Sequence, residues 1–123
     1  GMSGRRVVAI RGAISVAEDT AAAIGEATSE LLRELLDRNS LAARDLISII
    51  FTSTEDLCAE FPAVSAREMG LSAVPLLCTR EIPVVGSLPL CVRVMVHADV
   101  PADTSIRHVY LREARQLRTD LSE

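Results

Sequence analysis

The sequence predicts one small domain that mixes helices and strands, and three observations predict it. A β-branched run at Val7–Ala13 is followed by a long helix-forming stretch and then by a second apolar run at Leu46–Thr52, a crossover pattern. The length of 123 residues fits about one domain with no second core. Hydrophobic residues at 49% against 24% charged give a globular composition, far from that of disordered chains.

Each element has a local reason. Val7-Val8-Ala9-Ile10-Arg11-Gly12-Ala13 suits a first strand of a buried sheet, with Arg11 the misfit. From about Glu18 to Arg38 strong helix formers place Ile24, Leu31, Leu32 and Leu35 at helical spacing. Ser15-Val16-Ala17-Glu18 matches a capping box, acids in the first turn complement the dipole, and Asn39 is a natural stop. Leu46–Thr52 is the second strand. Phe61-Pro62-Ala63 opens a shorter helix that runs to about Met69 and stops at Gly70. Ala73–Cys78 and Leu88–Ala98 are the third and fourth strands, the latter followed by a turn over Asp99–Asp103. Ile106–Leu117 fits a helix by one periodicity and a strand by another.

Composition excludes several functions. All 13 basic residues are arginine, which removes Schiff-base, pyridoxal-phosphate and phosphate-loop lysine chemistry. Three aromatic residues and a net charge of −4 supply neither the stacking surface nor the basic field of a nucleic-acid binder. Cys58, Cys78 and Cys91 form no C-x-x-C pair, so reduced thiols and a cytoplasmic setting are expected. The most apolar stretch, Val84–Val96, is broken by Pro89 and Arg93, so no membrane span is expected. Gly1 ahead of Met2 reads as a cloning remnant, leaving one domain over residues 2–123.

The chemistry-bearing feature is arginine inside strands. Val92-Arg93-Val94-Met95-Val96 puts a guanidinium within an apolar run, and Ile10-Arg11-Gly12 does so at a strand end. Arginine is seldom buried unpaired, and in a strand Arg93 shares its face with Cys91 and Met95. A structural ion pair competes evenly with a ligand site for Arg93. Two such arginines in an acidic protein favour a carboxylate ligand, because the guanidinium fork matches a carboxylate in a bidentate way. His97, Asp99 and His108 have the residue types of a metal triad but poor spacing, so no metal is expected. Cys78 lies near Arg80 and Glu81 without a histidine to activate it. Arg67, with Glu60 and Glu68, reads as part of a solvated helix face unless a pocket lies nearby.

The chain resembles the short, monofunctional AroH-class chorismate mutases of the trimeric Bacillus type. The matching segments are Ile10-Arg11-Gly12-Ala13, Phe61-Pro62-Ala63 with Arg67, Val74-Pro75 with Cys78 and Glu81, Cys91-Val92-Arg93-Val94-Met95, and Arg107-His108-Val109-Tyr110-Leu111. Leu117-Arg118 and Asp120-Leu121 extend the match into the tail. The resemblance implies an α+β fold, a mixed β-sheet with outer helices, assembled as a trimeric pseudo-α/β-barrel with active sites at subunit interfaces. It favours a strand around Tyr110. It implies rearrangement of chorismate to prephenate, without cofactor or metal, in aromatic amino acid biosynthesis.

Residue roles follow from the same resemblance. Arg93 would stabilise charge on the breaking ether oxygen, Arg11 would hold a substrate carboxylate, and Tyr110 would hydrogen-bond beside it. Glu81, assisted by Cys78, would accept a hydrogen bond from the ring hydroxyl. Phe61, Ala63 and Leu117 would form an apolar wall, and Arg67 and Arg118 would attract the dianion at the entrance. Leu77, Val64 and Thr119 stand where the family often has threonine, a basic residue and proline, which predicts weaker substrate affinity rather than lost chemistry. Two other readings place the interface arginines in a trimeric carboxylate-binding protein without catalysis, or in a Rid-type imine deaminase.

Overall fold

The computed structural model describes residues 4–117. Strands β1 (Arg5–Ser15), β2 (Leu46–Ser53), β3 (Leu76–Arg80), β4 (Cys91–Pro101) and β5 (Val109–Leu111) form one five-stranded sheet in the order β3-β2-β4-β1-β5. Helices α1 (Ala21–Arg38) and α2 (Ala63–Glu68) complete the fold. β4 pairs antiparallel with both β1 and β2, whereas β3 runs parallel to β2 and β5 parallel to β1, so the sheet is mixed and the chain is α+β. The expected crossover is present: α1 carries the chain from β1 to a parallel β2, and β4 later fills the space between them.

Alternation along β4 explains why the sheet has one buried face. Val92, Val94, Val96, Ala98 and Val100 are buried in the main core with Ile24, Leu31, Leu32 and Leu35 of α1, while Arg93, Met95 and His97 on the alternate positions are half-buried. A second, smaller cluster joins Ala13, Cys91, Tyr110 and Ala114, with Leu88 and Leu117 against it. Among the described residues no helix is long and apolar enough to cross a membrane.

Several local expectations are corrected. Helix α1 begins at Ala21, not Glu18, and the expected capping box at Ser15–Glu18 does not form. Ser15 is instead the last residue of β1, paired with Cys91, and its hydroxyl accepts from the Glu113 amide at 3.0 Å. The cap is Thr20, whose side chain accepts from the Ala23 amide at 3.1 Å, and no acid lies in the first turn. Asn39 does stop the helix. Helix α2 is shorter than expected at both ends, with Pro62 at its N-cap.

β3 starts at Leu76 rather than Ala73, after Pro75, whose carbonyl accepts from the Ile49 amide at 3.0 Å. β4 starts at Cys91 rather than Leu88, because Leu90 has a positive φ of 49° that a strand does not accommodate. It then continues through the expected turn as far as Pro101, since Arg5, Arg6 and Val7 supply pairing partners for Pro101, Val100 and Asp99. The ambiguous segment resolves into strand β5 and a 3-10 turn over Arg112–Gln116.

Candidate active site

The half-buried face of the sheet collects charged groups from β1 and β4 and uncharged polar ones from β2 and β5. Arg11 on β1 pairs in register with Met95, and Arg93 on β4 pairs with Ala13 on one side and Thr52 of β2 on the other. Tyr110 on β5 lies opposite Ala13. These placements follow from the two-residue repeat of the strands, which turns Arg11, Thr52 and Arg93 away from the aliphatic core. Arg11, Thr52, Arg93, Met95 and Tyr110 line a shallow cavity of about 170 Å³.

Glu81 follows directly on the last residue of β3, where its amide donates to the Ser53 carbonyl at 2.9 Å. Its Oε2 lies 3.4 Å from Arg93 Nε, and the same oxygen accepts a hydrogen bond from the Thr52 hydroxyl. The contact to Arg93 is an ion pair without hydrogen-bond geometry: Arg93 Nε is buried and has no hydrogen-bond partner. The rest of the side chain stays available, with 40% of Arg93 and 22% of Glu81 exposed. The structural ion pair anticipated for Arg93 therefore exists, yet it does not consume the guanidinium.

Arg11 is the less encumbered cation. Its backbone amide donates to His108 Nδ1 at 3.0 Å, and among the described residues its guanidinium has no acidic partner. That histidine thus serves the β1 backbone, and Asp99 faces Arg5 at 3.4 Å. Beneath Arg93, burial pushes the Cys91 thiol above its ordinary value, an effect that the adjacent guanidinium opposes without cancelling.

Other expected site residues are not gathered into this cavity. Phe61, 66% exposed, and Cys78 line a second cavity of about 470 Å³ with Leu57, Cys58, Pro62 and Arg80. Ala63 packs in the main core, and Arg67 is exposed on α2. Leu117 lies against the cluster that contains Tyr110. Arg118, like Thr119, lies outside the described residues. Thr52 lines the first cavity and Ser53, next along β2, lines the second. Consecutive strand residues project to opposite faces, so the end of β2 separates the two groups within one chain. Sequence reading passed over Thr52, an ordinary strand former whose only signal is its cross-strand position beside Arg93.

Comparison with known proteins fits this geometry. The sequence matches the family chorismate mutase type I over residues 7–121. The chain belongs to that family. It is 53% identical over 115 residues to the chorismate mutase AroH of Thermus thermophilus, covering 91% of this chain and 93% of the relative. It is 43% identical over 116 residues to the chorismate mutase AroH of Bacillus subtilis, covering 92% and 91% respectively. A solved chorismate mutase from Clostridium thermocellum shares the fold with a TM-score of 0.84 and 48% identity, over 89% of this chain and 98% of that one. A type I chorismate mutase is therefore favoured over both the deaminase and the binding-only readings.

Proposed function

We propose that this chain is an isomerase that rearranges chorismate to prephenate, a step of aromatic amino acid biosynthesis, at sites completed between copies of a homotrimer. The observation that carries the reading is the pair of half-buried guanidinium groups, Arg11 and Arg93, beside Tyr110 on the open sheet face. The reaction is a unimolecular [3,3] bond exchange that requires no nucleophile and no proton transfer. The protein must hold the enol-pyruvate ether folded so that its reacting carbons approach, and must stabilise the charge that separates as the carbon–oxygen bond breaks.

Arg93 is the group for the ether oxygen. A fixed guanidinium aimed there interacts more strongly with the transition state, in which negative charge has grown, than with the ground state. Arg11 pairs with a substrate carboxylate and Tyr110 donates a hydrogen bond beside it. Glu81 accepts from the ring hydroxyl and favours the positive character that the ring develops, with Cys78 assisting. Phe61, Ala63 and Leu117 supply the apolar wall, and Arg67 and Arg118 draw the dianion toward the entrance. Division of these residues among three cavities in one chain, Arg11, Arg93 and Tyr110 in one, Phe61 and Cys78 in another and Glu81 in a third, supports a site completed by a second copy, as does the half-buried sheet face.

A chorismate-consumption assay, read as loss of absorbance by the purified protein, tests the activity, and static light scattering tests the trimer. Replacing Arg93 by alanine removes the preorganised donor and lowers turnover by about 10²–10³-fold while assembly is retained. Unchanged turnover in Arg93→Ala overturns the assigned role.

A further inference from the structure

We propose that Thr52 is a positioning residue for the mutase reaction: its hydroxyl fixes the Glu81 carboxylate so that one oxygen serves Arg93 and the other is presented to substrate. The inference rests on the site reading above and adds a residue to it. Three features of the geometry carry it. Thr52 stands directly opposite Arg93 in the β2–β4 register, so both side chains project on the same face of the sheet. Its hydroxyl donates to Glu81 Oε2, the same atom that lies 3.4 Å from Arg93 Nε. Among the described residues no hydrogen bond or ion pair reaches Glu81 Oε1.

The consequence is orientational. Glu81 lies beyond the end of β3, where its amide bond to Ser53 holds its backbone to β2, so the strand does not itself fix the carboxylate plane. A carboxylate that pairs with Arg93 alone can rotate about its terminal torsion and present either oxygen to the guanidinium. With Thr52 holding Oε2, rotation is suppressed and Oε1 is left for substrate. Glu81 itself lines a different cavity, of about 250 Å³, with Thr54 and Ile82, and its contacts with Thr52 and Arg93 tie it to the cavity that those two line. The hydroxyl proton of Thr52 is committed to Glu81, so Thr52 acts through that carboxylate.

The test is a double-mutant cycle on the intact enzyme with chorismate as substrate. Thr52→Val keeps the shape and the β-branch while deleting the donor, and lowers kcat about ten- to a hundred-fold, the scale expected for a misaligned catalytic group. Thr52→Ser, which restores the hydroxyl, recovers most of that loss. Because the effect passes through Glu81, the double variant Thr52→Val/Glu81→Gln is no slower than Glu81→Gln alone. Thermal melts and light scattering on each variant distinguish an effect on kcat from one on folding or assembly. Wild-type kcat in Thr52→Val, or additive losses in the double variant, overturns the proposal. An Arg93→Ala control separates the levels: full turnover there overturns the site reading itself, whereas loss there with an unaffected Thr52→Val overturns the positioning role alone.

Discussion

Cys91 shows how one residue couples the site to the stability of the fold. Its thiol is buried in the small cluster with Ala13, Tyr110 and Ala114, and burial raises its pKa despite the Arg93 charge beside it. A thiol whose folded pKa exceeds its unfolded value, near 8.5, contributes stability fully below that value and loses it as pH rises toward the folded pKa. Denaturant unfolding between neutral and alkaline pH is therefore expected to show a decline that begins near pH ~8.5 and is reduced in Cys91→Ala. An identical alkaline slope in the variant would remove Cys91 as its source. The guanidinium groups were legible in the sequence because a charge within an apolar run has few ordinary explanations. Thr52 was not, because threonine in a strand is commonplace and only the pairing of β2 with β4 sets it against Arg93 and Glu81.

Two contacts between elements decide whether the site keeps its shape. Gly12 sits where β1 passes under α1 and between β4 and β5. An added Cβ would meet Leu31 Cδ1 at 3.1 Å and both Val109 O and Val94 Cγ2 at 3.2 Å. Gly12→Ala is expected to cost about 1–3 kcal/mol in chemical unfolding, as overpacking does when backbone closes one side. Asn39 ends α1 and also clamps the chain leading to β5. Its amide donates to the Leu35 and Arg107 carbonyls, both at 2.9 Å, and its oxygen accepts from the Arg107 amide at 2.7 Å. Asn39→Ala strands these backbone groups and should destabilise by about 1–3 kcal/mol while raising KM, because Tyr110 follows three residues after Arg107. A KM left at its wild-type value would show that β5 holds Tyr110 without the clamp. Helix and strand existence was readable from periodicity, whereas the ends were not. Ser15 looked like a cap until β4 claimed it as a pairing residue, and the Asp99–Pro101 turn signal yielded to the strand partners supplied by β1.

At the scale of the molecule, an acidic protein has to bind a dianion. With a net charge of −4, attraction must come from the local arginine field and not from the whole surface. That field is screened over about 8 Å at physiological ionic strength, so added salt should raise KM while leaving kcat nearly unchanged. A salt-independent KM would place the recognition in deeply buried contacts instead. Exposed apolar groups such as Phe61, Leu77, Ile82 and Val85, the last 99% exposed, mark surface that a trimer can cover, and light scattering over a dilution series measures whether it does.

By itself the sequence determined the alternation of strands and helices, the aliphatic core, the two misfit arginines and, through ordered motifs across nearly the whole chain, the family. These are properties of local spacing and residue type, which survive without coordinates. Only the tertiary structure decided which residues meet: strand register set Arg93 between Ala13 and Thr52, and Glu81 bridged it from beyond β3. It also separated Phe61 and Cys78 from the arginine cavity. The physical reason is that a two-residue repeat assigns faces within a strand, while neighbours across a sheet depend on pairing between segments far apart in the chain.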